Sequence, residues 1–277
     1  LVSMKKGAIA VLLGLISASF FAQNSGVTGS RAYSLAGVAT LQSDLWSANN
    51  NPAGLGSLKK WQGGISYENQ FLLSELSNKT AIVTAPVSRG SFGLSINQFG
   101  YSSFNENRIG ISFGQMLSKK ISIGIQLNYL STRIGDGYGE TNALSGNIGL
   151  LAKINDELLL SAVVINPNRA KLAEFTDERF PTLIKLGVSY EFSKKVIVFT
   201  EVTKDIDYDA NVRMAIEYKA LKMLYFRAGY ATAPSLTSFG FGLNVDKFKL
   251  DFASGFDANL GFSPQVSMSY SPSFSQQ

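Results

Sequence analysis

From Trp61 almost to the end of the chain, apolar residues alternate with polar or very small ones. Ile121, Ile123, Ile125, Leu127 and Tyr129 interleave with Ser122, Gly124, Gln126 and Asn128. Val212, Met214, Ile216 and Tyr218 interleave with Arg213, Ala215 and Glu217, and Phe239, Phe241, Leu243 and Val245 with Gly240, Gly242 and Asn244. Successive side chains of a strand point to opposite faces, so each segment reads as a strand with one apolar face. Such segments fall at about 61–71, 78–87, 91–100, 106–116, 121–134, 142–154, 157–166, 181–192, 196–204, 210–219, 223–231, 238–246, 247–257 and 264–270. That is an even number of strands, about fourteen, each near the length that crosses a bilayer at a tilt.

The second face separates a soluble sandwich from a membrane barrel. A sandwich buries a continuous apolar core and turns polar residues to water. Here glycine and serine dominate the second face, which suits a crowded lumen, while the apolar face suits lipid. In hydrocarbon every backbone donor and acceptor needs an internal partner, and an edge-free barrel of strands supplies it. The predicted fold is therefore all-β: a transmembrane antiparallel β-barrel of about fourteen strands with a short N-terminal plug in the lumen.

Connection lengths alternate as well. Short turns are expected near 88–90, 118–120, 155–156, 193–195, 220–222 and 246–247, and longer loops at 135–141, 167–180, 205–209, 232–237 and 257–263. Outer-membrane barrels carry short periplasmic turns and longer outer loops, which places the plug and both termini on the periplasmic side. Tyr101, Tyr129, Tyr190, Tyr218 and Tyr270 are candidates for interfacial girdles.

Ahead of the strands, residues 29–58 are too rich in small residues and too interrupted to be a strand. The spacing of Ala32, Leu35, Ala36 and Ala39 predicts one or two loose helical turns. Asn49, Asn50, Asn51 and Pro52 then predict a stop, because Asn tolerates turn conformations and Pro52 biases Asn51 away from the helical region. Gly54 and Gly56 extend that turn. The series Arg31, Gly37, Asp44, Asn51, Pro52, Ala53, Gly54 and Leu55, with the block Leu35-Ala36-Gly37-Val38-Ala39, resembles the N-terminal signature of the PorV/PorQ proteins of Bacteroidetes. Those belong to the same broad group as the FadL-like outer-membrane transporters, which carry a similar Asn-Pro-Ala-x-Leu element. Ala36 stands where a second glycine is common, and Ser43-Asp44 replaces an acidic pair.

The resemblance implies a non-enzymatic protein associated with type IX protein secretion, as a cargo shuttle or translocon accessory. Its partners would be outer-membrane lipid and type IX secretion subunits or cargo C-terminal domains. The alternative within the same broad group is a FadL-like transporter of hydrophobic small molecules, which would need an apolar pocket beside the plug and a gap in the wall.

Lys5 and Lys6, the apolar run Ala8 to Ile16 and the small residues Ser17 to Ala22 have the zones of a signal peptide. The expected division is residues 1–23 as a cleaved leader, 24–60 as the plug and 61–277 as the barrel, with the bacterial outer membrane as destination. The formal charge is +5; Lys5 and Lys6 carry two of those, leaving +3, too little and too dispersed for a nucleic-acid partner.

The chain has neither cysteine nor histidine. That excludes a disulfide scaffold and a thiolate site, and removes the commonest general base and metal ligand. No catalytic, cofactor or metal residues are expected. The cluster Asp205, Asp207, Asp209 has calcium-loop spacing, but Ala210 stands where that loop needs glycine and Ile216 where it needs glutamate. Charges on the small-residue face, Lys185, Glu191, Arg213, Glu217, Arg227, Lys249 and Asp251, are expected to point into the lumen and to pair with one another and with plug backbone groups, since buried charges need partners, with Arg31 and Asp44 as natural counterparts; the alternative is that they line a solute path.

Overall fold

The computed structural model describes residues 27–135, 139–171 and 179–272. The predicted leader lies outside these residues, as do parts of the loops expected at 135–141 and 167–180. Fourteen strands form one closed antiparallel barrel: β1 (Gln62–Asn69), β2 (Ser77–Val87), β3 (Gly90–Tyr101), β4 (Phe104–Met116), β5 (Ile121–Ile134), β6 (Gly139–Lys153), β7 (Leu158–Ile165), β8 (Leu183–Ser193), β9 (Val196–Asp205), β10 (Asn211–Lys219), β11 (Leu224–Thr232), β12 (Ser235–Val245), β13 (Phe248–Asp257) and β14 (Gly261–Tyr270). Each strand pairs with its sequence neighbours, and β14 closes on β1 through Gly63 opposite Tyr270 and Glu68 opposite Gln265. Among the described residues the one register shift in the wall lies between Glu191 and Ser193, at the short-turn end of β8. Among the described residues no helix is long and apolar enough to cross a membrane.

The barrel is inside-out relative to a soluble domain. Its outward residues are large, apolar and exposed, as with Ile125, Leu127 and Phe239, and its inward residues are small or polar and buried, as with Ser95, Ser112, Gln126 and Asn128. This is the alternation a lipid-facing wall requires. Tyr101 lies at one rim, and Tyr190, Tyr218 and Tyr270 lie towards the other, where Tyr270 packs on Trp61 and Phe248. Tyr129 sits within β5 rather than at its end.

Short turns join the strands at the end where the plug segment enters the wall. At the other end the loops are less uniformly long than the sequence suggests. The connection expected at 232–237 is a two-residue turn at Ala233 and Pro234, because β11 and β12 keep pairing out to Thr232 and Ser235. The β3–β4 turn is equally short. Longer connections remain at residues 70–76, at 166–171 and 179–182 on either side of residues outside the description, and at 206–210.

Residues 27–58 run through the lumen as two helical turns and a 3-10 segment: α1 (Ser30–Ser34), α2 (Ser47–Asn50) and Pro52–Ser57. The loose helix expected around Ala32 to Ala39 is confined to α1, after which the chain turns through Ala36 and Gly37, both with positive φ. The stop at Asn51 is as expected: α2 ends at Asn50 and Asn51 is extended. The apolar core lies between plug and wall. Leu45, Trp46, Ala48, Leu55 and Leu58 pack with Ile82, and Leu35, Val38 and Leu41 pack with Phe199 and Ala215. Burying each of the larger side chains contributes about 1.5–3 kcal/mol.

Candidate functional site

The plug is fixed by shape on one side and by charge on the other. On the β4–β6 side, the inward residues Gly114, Gly124 and Gly149 form a recess for the turn at Asn51 and Pro52. A Cβ at Gly114 or Gly124 would overlap Pro52 backbone atoms, and one at Gly149 would overlap the Asn51 amide oxygen. Glycine is needed here because two backbones approach closely. Asn51 is fully buried; its Nδ2 donates to the Thr40 carbonyl at 2.7 Å and to the Leu150 carbonyl at 3.3 Å, and its Oδ1 accepts from the Ala53 N–H at 3.1 Å. Pro52, Ala53 and Leu55 are buried against this recess. Gly54 serves close packing against Ser47 and the Gln42 carbonyl rather than a special turn geometry.

On the opposite side a line of alternating charges crosses the wall. Arg31 donates from Nε and Nη2 to the two oxygens of Glu217, each at 2.9 Å. Glu217 also accepts from Arg227 Nε at 2.6 Å, and Arg227 Nη1 donates to Asp251 at 2.7 Å. Lys249 Nζ lies 4.0 Å from Asp251. Asp44 turns towards the plug itself: its Oδ1 accepts from the Trp46 N–H at 2.9 Å, and its Oδ2 lies 3.8 Å from Arg31. Side-on pairing by a planar guanidinium is the strong form of this contact.

A second anchor centres on Glu201, a residue not picked out from the sequence. One of its oxygens accepts from the N–H groups of Ala39 and Thr40, at 3.1 and 3.0 Å, and from the Thr40 hydroxyl at 2.8 Å. The other accepts from Arg213 at 3.3 Å, and Arg213 also donates to the Gly37 carbonyl. Of the predicted lumen charges, Arg213, Glu217, Arg227, Asp251 and Lys249 therefore fall into these two networks. Lys185 faces the same lumen and is buried, but no carboxylate among the described residues lies within 4 Å of its amine. Glu191 stands half-buried beside the β8 bulge, outside both networks. Glu201 was hidden because β9 begins Val196-Ile197-Val198-Phe199, apolar on both faces, which erases the period-two signal.

Beyond the plug, towards the longer loops, lies a cavity of about 130 Å³. Its polar side carries Asn97, Arg108, Asn128 and Asn147, and its apolar side Phe99, Leu130, Ile165, Phe180, Pro181 and Leu183. A relay of amides crosses beneath it. Asn49 of the plug donates to Asn97 at 3.0 Å and accepts from Gln126 at 3.1 Å, and Asn147 donates to Gln126 at 2.8 Å. Arg108 and its neighbours escaped notice in the sequence although Glu106, Arg108, Gly110, Ser112 and Gly114 continue one inward face. The Asp205 carboxylate, from the acidic cluster, accepts from the Asp207 N–H within its own loop.

No protein-family model matches the chain, and no curated protein matches it in sequence. Solved structures do match in three dimensions. The toluene transporter TbuX of Ralstonia pickettii aligns with a TM-score of 0.66 at 13% identity, over 91% of this chain and 100% of that one. The toluene transporter TodX of P. putida gives 0.64 at 13%, over 89% and 98%. A FadL homologue of Pseudomonas aeruginosa gives 0.63 at 13%, over 88% and 98%. Identity at this level speaks to fold alone, and the fold is that of the FadL-like outer-membrane β-barrels.

Proposed function

We propose that this protein is a non-enzymatic outer-membrane conduit for small, largely apolar molecules. They enter from the outer face into the cavity above the plug and pass when the plug shifts. The observation that carries this reading is the half-apolar cavity on the outer side of a plug, within a barrel shaped like those of toluene transporters. The wall between β1 and β5 keeps an unbroken register, which speaks against a gap there and for a route past the plug. Uptake of radiolabelled toluene tests it, in vesicles that bear the purified barrel and whose outer leaflet is lipopolysaccharide, which slows apolar solutes. Saturable uptake faster than in protein-free vesicles is expected; equal rates in the two would overturn the reading.

One observation favours a second reading. The outer loop at residues 70–76 exposes Leu72 and Leu73 together, the kind of apolar surface that a protein partner covers. With the resemblance of residues 29–58 to PorV/PorQ proteins, this supports an accessory of type IX secretion that binds translocon subunits or cargo C-terminal domains. Affinity purification from gently solubilised outer membranes separates the two. Co-purifying secretion proteins would favour the accessory, and a barrel recovered alone would favour the conduit.

A further inference from the structure

The rim where the plug enters the barrel is at once basic and apolar. Lys59 and Lys60 stand before β1, and the β4–β5 and β8–β9 turns carry Lys119-Lys120 and Lys194-Lys195. Arg89, Lys222 and Lys247 stand singly in the β2–β3, β10–β11 and β12–β13 turns, and all of these residues are exposed. The acids of this rim are Asp156, Glu157, Glu191 and Asp246. Among the described residues only Asp156 comes within 4 Å of a basic side chain there, that of Lys153. Large apolar side chains are exposed beside the cations: Trp61 next to Lys60, Leu117 ahead of Lys119, Phe192 ahead of Lys194, and Leu221 and Met223 on either side of Lys222. Trp61 and Phe248 both pack on Tyr270, at 5.4 and 5.1 Å between ring centroids, with Lys60 adjoining the first and Lys247 the second. From mid-wall to rim the outward surface thus runs from aliphatic to aromatic to cationic, the succession that a bilayer presents from hydrocarbon to headgroup.

We propose that this rim is a binding collar for anionic phospholipid, holding the phosphodiester headgroups of the leaflet on the plug's entry side. The lysine ammonium groups donate to phosphate oxygens, while their stems and the neighbouring Trp61, Leu117 and Phe192 lie against the first acyl carbons. A headgroup with net negative charge is preferred to a zwitterionic one, because the rim offers many cations for the phosphate and few acids for a headgroup ammonium. The cations recur around the whole circumference, from β1 through β5 and β9 to β13, and continue the lipid-facing wall without a break. That distribution fits a lipid annulus, whereas a protein partner would be met by a patch on one side. The proposal requires that the wall span a membrane and does not rest on the conduit reading.

Trp61 reports the collar directly, since it is 50% exposed at the rim whereas Trp46 is 1% exposed within the plug. The full chain is reconstituted in phosphatidylcholine vesicles containing a fraction of brominated phosphatidylglycerol or of brominated phosphatidylcholine, with the bromines near the headgroup end of the acyl chain. Bromine quenches the tryptophan it touches. At low salt phosphatidylglycerol is expected to occupy the surroundings of Trp61 about fivefold more strongly than phosphatidylcholine, the effect of one lysine close to an anionic headgroup. That advantage should shrink as salt is raised. In the triple variant Lys59→Gln, Lys60→Gln, Lys247→Gln the preference is expected to vanish while quenching by brominated phosphatidylcholine stays as in the parent. Equal quenching by the two lipids in the parent would overturn the inference and leave the rim to a protein with an acidic surface. A preference that persists in the variant would overturn the role given to these lysines. Should the variant fail to fold, the ranking of the two lipids on the unaltered protein still decides.

Discussion

The amide oxygen of Asn51 occupies the space that a Cβ on Gly149 would claim. Plug and wall are thus matched atom to atom, and a side chain added at Gly149 tests the match. In Gly149→Val the wall strand should tolerate a β-branched residue, whereas overpacking the recess costs about 1–3 kcal/mol or more. The plug turn is expected to leave its seat. Conductance in planar bilayers should rise from near silence to steady open events, and a variant as silent as the parent would show that the recess is not what seats the plug.

Glu217 serves two arginines at once, so its loss leaves Arg31 with only Asp44 at 3.8 Å and Arg227 with only Asp251. Glu217→Gln removes the charge and keeps the shape, leaving Arg31 and Arg227 buried without it. Breaking a buried pair in this way costs about 3–5 kcal/mol. Trp46 is buried within the plug while Trp61 is exposed at the rim, so in a Trp61→Phe background tryptophan fluorescence reports plug docking. The denaturant midpoint of that signal should drop well below the parent's.

Glu201 holds the plug by its backbone. In Glu201→Gln two amide N–H groups exchange a charged acceptor for a neutral one, a loss of about 1 kcal/mol each. Hydrogen exchange at Ala39 and Thr40 should quicken on the order of thirtyfold. Exchange at the β5–β6 strand amides should not change. Uniform quickening everywhere would mean that Glu201 supports the barrel and not specifically the plug.

Leu127 is 70% exposed midway along β5. If lipid surrounds it, Leu127→Arg should destabilise the folded barrel in bilayers by about 2–4 kcal/mol. The same change at Tyr101, on the outer rim, should cost at most about 1 kcal/mol. Equal effects at the two positions would contradict a membrane-spanning wall.

The strands were legible because a wall with lipid on one side and a packed lumen on the other enforces a period of two. Where both faces are apolar, as at the start of β9, the signal fades, and Glu201 went unseen with it. The inward direction of Arg213, Glu217, Arg227 and Asp251 followed from parity. Arg31 was an expected counterpart and does pair with a wall charge, but which charge it meets was not legible, since that depends on barrel closure, a relation spanning 186 residues for Arg31 and Glu217. The turn at Asn51 and Pro52 was readable from local chemistry. The recess that receives it was not, because Gly114, Gly124 and Gly149 look like ordinary small residues until three strands stand side by side. The cavity was invisible for the same reason.

The uneven division of the plug's contacts sets an order of assembly. Its charged partners, Glu201, Arg213 and Glu217, belong to β9 and β10, while α1 rests on β11 to β14, the last part of the chain to be made. The stretch from Arg31 to Thr40 precedes every strand, yet it can settle only after the second half of the wall exists. Contacts so distant in sequence form late. The first segment of the plug and barrel to leave the ribosome is therefore the last to find its place, and until the wall closes Arg31 must travel solvated or in the care of another protein.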